Sequence, residues 1–342
     1  TGVGNDIASE RKMVRKFILD SIRFWMEEYH VDGFRFDLMG ILDIETMNEV
    51  RKTCDSIQEG TLVIGEGWNL NTPLPIDKKA IIRNQSKFPD IAQFNDKFRD
   101  MIKGSTFYLY DKGYVLGNDH YYDGAIEVIT GSIGLDKTES GHFTNPSQSV
   151  NYVECHDNHT MWDKLLSCLP DADDLLRIKY HRLATALVLV SQGIPFLHSG
   201  QEFFRTKHGD GNSYKSPDSI NQLDWNRKQM YFDNVKYIKG LIQVRKKFPC
   251  FRMKTGKEIR DNIQVLPLAN PLIGYCLKNQ SHDFREVLLL INPLRTRQSI
   301  QIPPGSWTVI ANDKTVEIYS TQSVSGKEMV LEPVSLNILA KK

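Results

Sequence analysis

Apolar residues recur at spacings of three and four between Lys12 and Tyr29, at Met13, Phe17, Ile18, Ile22, Trp25 and Tyr29. That period predicts a helix, with Ala8 and Ser9 ahead of Glu10 as its capping region after an opening TGVGND loop. The period then changes. DGFRFDL (32–38) alternates aromatic and polar residues and predicts a strand bounded by Gly33 and Gly40. IETMNEVRKTCDSI (44–57) returns to helical spacing, and TLVIGEGW (61–68) reads as a buried strand. DIAQFND (90–96) predicts a short strand, with a helix after it through Ile102. SVNYVECHDN (149–158) is strand-like, DDLLRIKYHRLATALVLVSQG (173–193) a long helix ended by Gly193, and IPFLHSGQE (194–202) a further buried strand. NVKYIKGLIQVRKKF (234–248) closes this half as a helix. Strands alternating with helices signal parallel βαβ units.

After Pro249 the pattern shortens. IQVLPL, IGYCLKN, EVLLLIN, WTVIAND and LNILA read as short strands divided by Pro, Gly, Asn and Asp turns. Helical periodicity is absent there, so an antiparallel all-β sandwich is expected over 251–342, after an α/β domain over 1–250. No internal repeat or low-complexity segment interrupts either part.

Composition narrows the partners. The 342 residues carry 43 Lys and Arg against 42 Asp and Glu, a net charge of +1. That balance argues against nucleic acid, which asks for a basic surface. The longest apolar run, LATALVLV at 183–190, is too short to span a bilayer, so no membrane partner is expected. The 5 cysteines form no CxxC pair, which speaks against a disulfide framework or structural zinc and mildly favours a reducing, cytoplasmic setting. No leader is visible, although the chain begins on Thr rather than Met.

Charges at strand ends carry the chemistry. On a strand alternate residues share a face, so Gly33, Arg35 and Asp37 look one way while Phe34 and Phe36 pack the other. VIGEGW ends its apolar run at Glu66, and VECHDNH places its polar cluster last, at Asp157. Three carboxylates at the carboxyl ends of parallel strands lie where α/β barrels keep their active sites. Each alone would serve as a helix cap or ion-pair partner. Together with Arg35, His156 and Trp68 they form an inventory for glycoside hydrolysis, which needs one carboxylate as nucleophile or base and one as acid. No phosphate-binding glycine loop competes. A metal reading competes at Cys155, His156, Asp157 and His159, but two histidines three apart on a strand face opposite ways. Cys155, alternating with His156, is expected to face the covering helices as core filler.

GFRFDLMG, VIGEGW and VECHDNHT resemble the second, third and fourth short regions of the α-amylase superfamily of glycoside hydrolases. TGVGNDIASER, QGIPFLHSGQEFFRTKHGDGNSY and SPDSINQLDW are similar to the type I pullulanases in particular. The resemblance implies the C-terminal part of a (β/α)8 barrel, about its last five strands, followed by an antiparallel sandwich. It implies a retaining mechanism with Asp37 as nucleophile and Glu66 as general acid/base, and makes Asp157 the third carboxylate, holding sugar hydroxyls. Arg35 and His156 would lie around the same sugar, Trp68 would be a stacking platform, and Asn158 a further contact. Asn212 and Tyr214 join them as candidates, with simple turn residues as the alternative. The substrate implied is pullulan and related branched α-glucans, cut at α-1,6 links. Isoamylase or limit-dextrinase action, or a non-catalytic glucan-binding remnant, are the alternatives. No cofactor is implied, and no ligand set for calcium can be named.

The family's first region, an Asp-x-x-x-Asn-His string, is missing, as is its Tyr-Asn-Trp-Gly-Tyr-Asp-Pro string. The resemblance therefore implies that the early strands lie on an N-terminal portion outside this sequence, or were lost. Activity would depend on that portion, because an open parallel barrel exposes strand edges.

Overall fold

In the computed structural model, residues 4–135, 141–279 and 283–342 are described. Thr1 to Val3 of the opening loop lie outside them. The chain divides into one unit of Thr1–Asn95 and Ser132–Val150 and another of Asp96–Gly131 and Asn151–Lys342.

The first unit begins with α1 (Lys12–Tyr29), β1 (Gly33–Phe36), α2 (Ile44–Ile57), β2 (Leu62–Gly65) and β3 (Ala92–Phe94). β1 and β2 pair in parallel, Gly33 opposite Leu62 and Phe36 opposite Gly65. Phe34 and Phe36 pack into a core with Ile22, Met26, Met47, Val50 and Val63, while Arg35 stays exposed. The alternation expected for this strand thus holds, with each ring, partly buried, contributing a share of the about 1.5–3 kcal/mol that full burial gives. α2 starts on Asp43, whose carboxylate accepts the Thr46 N–H at 2.9 Å and the Ser9 hydroxyl at 2.6 Å. Burial alone would raise the pKa of Asp43; those hydrogen bonds, with Arg15 nearby, hold it below the usual carboxylate range.

α1 departs from its expected face. Ile22 and Met26 are buried, with Ile18 and Leu19 beside them, but Met13, Phe17, Trp25 and Tyr29 are exposed. The helix is apolar on more than one side, and a spacing count cannot choose between sides.

The second unit contains α3 (Asp96–Lys103), α4 (Tyr122–Ile129), α5 (Met161–Cys168), α6 (Asp174–Val190), β5 (Ile194–Pro195), α7 (Asp218–Asn221), α8 (Trp225–Met230) and α9 (Phe232–Lys247). β4 (Ser149–Asn151) precedes α5, and the five-stranded sheet has the order β1-β2-β3-β4-β5. Two of these strands are much shorter than expected. β4 stops at Asn151 rather than reaching Asn158; beyond it the Glu154 carboxylate accepts the Met161 N–H at the start of α5. β5 stops at Pro195, after which the Phe196 N–H makes one more bond, to the Asn151 carbonyl at 2.9 Å.

The C-terminal part holds α10 (Gly256–Asn262), β6 (Ile263–Val265), β7 (Ile273–Lys278), β8 (Glu286–Asn292), β9 (Gln298–Gln301), β10 (Ser306–Ala311), β11 (Ser323–Ser325), β12 (Glu328–Leu331) and β13 (Ser335–Lys341). A six-stranded sheet in the order β11-β10-β13-β8-β7-β6 accompanies the pair β12-β9. Leu288, Leu290, Ile300, Trp307, Leu331 and Leu339 form the core. α10 corrects the expectation of no helix after Pro249. Its signal was a cap rather than a period: the Thr255 hydroxyl accepts the Glu258 N–H at 3.1 Å.

Candidate active site

At the end of β1 the chain leaves the strand sharply, with Leu38 at φ 43. Arg35, on the exposed face, reaches two carboxylates at once. Its Nη1 donates to Asp37 Oδ1 at 2.5 Å, and its Nη2 lies 3.0 Å from Glu66 Oε1. Glu66 Oε2 also accepts the Leu38 N–H at 2.8 Å. The Asp37 side chain is 74% exposed and that of Glu66 only 10%. One guanidinium therefore sits between an open carboxylate and a recessed one. The Arg35 guanidinium also lies 5.8 Å from the centre of the Phe94 ring. Gly67 follows Glu66 because a Cβ there would meet Gln93 Oε1 at 1.8 Å. Trp68, next along, is half-buried.

The other candidates lie on loops of the second unit. His156 Nε2 stands 3.4 Å from Asp157 Oδ2, and both side chains are mostly exposed. Asn158 adopts φ 60, a left-handed turn that Asn tolerates. These residues follow β4 instead of lying on it, which corrects two readings. Strand alternation applies neither to His156 and His159 nor to Cys155. The Cys155 thiol points at the Asp157 carbonyl oxygen, 3.7 Å away, and burial pushes its pKa up. Among the described residues, no group of three or more His, Cys, Asp or Glu side chains is disposed to hold a metal ion.

Asn212 and Tyr214 are both exposed. The Asn212 N–H donates to Asp210 Oδ1 at 2.8 Å, and the Lys215 ammonium lies 5.2 Å from the Tyr214 ring centre. A cavity of about 450 Å³, lined in part by Phe203, Arg205, Gln222 and Trp225, includes none of the nine candidates.

Sequence reasoning missed what holds these loops. Glu154 and Asp163 are buried carboxylates. Asp163 accepts the Thr206 hydroxyl at 2.5 Å and the Lys207 N–H at 2.8 Å, while the Lys207 ammonium donates to the His156 carbonyl at 2.9 Å. The available signal was Glu154 itself, an acid inside the apolar run NYVEC.

No family model matches the chain. The pullulanase of Bacillus subtilis (strain 168) is 50% identical over 287 residues, 84% of this chain and 39% of that protein. A crystal structure of pullulanase from Anoxybacillus sp. LM18-11 with maltotetraose superposes with a TM-score of 0.94 at 44% identity, covering 100% of this chain and 48% of that one. The type I pullulanase of Bacillus subtilis str. 168 with maltose gives 0.95 at 42% identity, over 99% of this chain and 48% of its own. The chain thus spans half or less of the length of these relatives. By sequence and by fold, it belongs to the type I pullulanases.

Proposed function

We propose that this chain supplies the catalytic carboxylates of a retaining hydrolase that cleaves α-1,6 links in pullulan and related branched α-glucans. The observation that carries this is Arg35 bridging Asp37 and Glu66. In the first step an Asp37 oxygen bonds the sugar's anomeric carbon, that carbon's bond to the departing O6 breaks, and Glu66 gives its proton to O6. In the second, Glu66 takes a proton from water as the water oxygen replaces Asp37 on the same carbon, restoring the original configuration. Asp157 and His156 would hold hydroxyls of the sugar being cut, with Asn158 beside them. Trp68 would stack on a sugar ring, and Asn212 and Tyr214 would touch further residues of the glucan.

Residues 1–250 are read as part of a (β/α)8 barrel and 251–342 as its β-sandwich. The partner needed is the remaining portion of such a barrel. Five free thiols fit a cytoplasmic setting. Among the described residues, no helix is long and apolar enough to cross a membrane.

The test compares the chain alone with the chain mixed with the portion of the Bacillus subtilis relative that it does not match. Maltotriose should be released from pullulan only by the mixture, and Glu66→Gln in it should lower kcat by about 10²- to 10⁴-fold with glucan binding largely kept. Turnover at full rate by the lone chain would remove the need for a partner. Full turnover by the Gln variant would end the assignment of Glu66.

A further inference from the structure

We propose that Glu154 is the positioning residue of the loop that carries His156 and Asp157, an inference that rests on reading those two residues as sugar ligands. Glu154 is 1% exposed, yet Met161, His198 and His181 bring hydrogen or positive charge to its carboxylate. Oε2 accepts the Met161 N–H at 2.6 Å, and Oε1 lies 3.0 Å from His198 Nδ1. His181 Nε2 lies 3.8 Å from Oε2. The bond to Met161 ties the residue before the loop to the first residue of α5 after it. Residues 155–160, with His156, Asp157 and Asn158 among them, are thereby closed into a ring.

The protons on His198 follow from its other side. Arg205 Nη1 stands 3.1 Å from His198 Nε2. A guanidinium only donates, so Nε2 must offer its lone pair and the proton must sit on Nδ1. Glu154 then receives Nδ1–H from one direction and Met161 N–H from another. An acceptor-only ion satisfies both; an amide places an N–H2 against one of them. Burial works to raise the pKa of Glu154, but His198, His181 and the Met161 N–H outweigh it and keep the carboxylate below its usual range. Arg205 carries the chain onward by donating to the Asn221 carbonyl at 2.5 Å. One buried charge thus fixes the loop after β4 against the loop after β5.

Hydrogen exchange by mass spectrometry on the chain reads this hold. With Glu154→Gln, residues 152–161 should exchange about ten- to a hundredfold faster while α1 and β8 keep their protection. Unchanged exchange in that segment overturns the proposal. If the substitution loosens the whole chain, His198→Asn decides. Its amide can still donate to Glu154 but is too short to put an acceptor where Nε2 meets Arg205, so a smaller increase confined to the same segment supports the proposal, and wild-type exchange overturns it. In the active mixture, Glu154→Gln should cut kcat on pullulan by about ten- to a hundredfold with little change in KM, and Glu154→Asp should recover part of it. Faster exchange with an unchanged kcat also overturns the positioning role. A wild-type mixture that cleaves no glucan ends the hydrolase reading, and the exchange data then judge the hold of Glu154 on the loop by themselves.

Discussion

The ends of β1 and β2 and the loops after β4 and β5 put polar side chains forward by different means. At β1 and β2 the strand does the placing: two-residue alternation brings Arg35 out, and the parallel register brings Glu66 alongside it. After β4 and β5 there is almost no strand to do so. Buried Glu154 and Asp163, with His198, Arg205 and Lys207, replace the ladder with side-chain bonds. A strand end tolerates loss of any one polar residue, since its backbone stays paired. A loop sewn together by buried charges does not, because each removal leaves donors without acceptors.

The largest contrast should come from Asp163→Ala. It leaves the Thr206 hydroxyl and the buried Lys207 N–H without their acceptor, and we expect a loss of about 2–4 kcal/mol in urea unfolding. Arg35→Met is the matching change at the strand end. It should leave stability within about 1 kcal/mol while lowering kcat in the active mixture by about 10²-fold, since the two carboxylates lose their shared cation. Equal effects of the two substitutions on stability would break the comparison.

The same difference governs how much was legible beforehand. The periodicity of 44–57 matched α2 residue for residue, and the alternation in GFRF matched β1, because backbone pairing and a one-sided core write a period into the sequence. Asp37, Glu66 and Asp157 were chosen from strand ends and from resemblance to a family. The loop after β4 was misread as strand. Tyr152, Val153 and Glu154 are buried like strand residues, but the carboxylate of Glu154 serves an N–H in α5, and no period records such a bond. α5 and α8 were passed over for a similar reason. They are short, and their starts are marked by the side chains of Thr160 and Asp224 rather than by a repeating stripe.

Acid should separate the two regions by a smaller margin. His181, buried in α6, has its pKa lowered from 6.5 to about 4 by burial, with Arg227 adding to the effect and Glu154 opposing it. Trp162 and Phe204 pack around its ring, and Thr185 Oγ1 lies 3.4 Å from its Nδ1. Between those two values the unfolded chain binds a proton that the folded chain refuses. Stability therefore falls as pH drops from about 6.5 to about 4, by roughly 3 kcal/mol from this group. Asp43 behaves otherwise. Its pKa is depressed in the folded state, so its contribution is intact through that window and is lost only as pH falls below the ordinary carboxylate value near 3.8. Hydrogen exchange followed from pH 7 to pH 3 should thus show α6 and residues 152–161 loosening first and α2 afterwards. His181→Gln should flatten the first phase and leave the second in place. A first phase that survives that substitution would move the acid-sensitive group away from the network around Glu154.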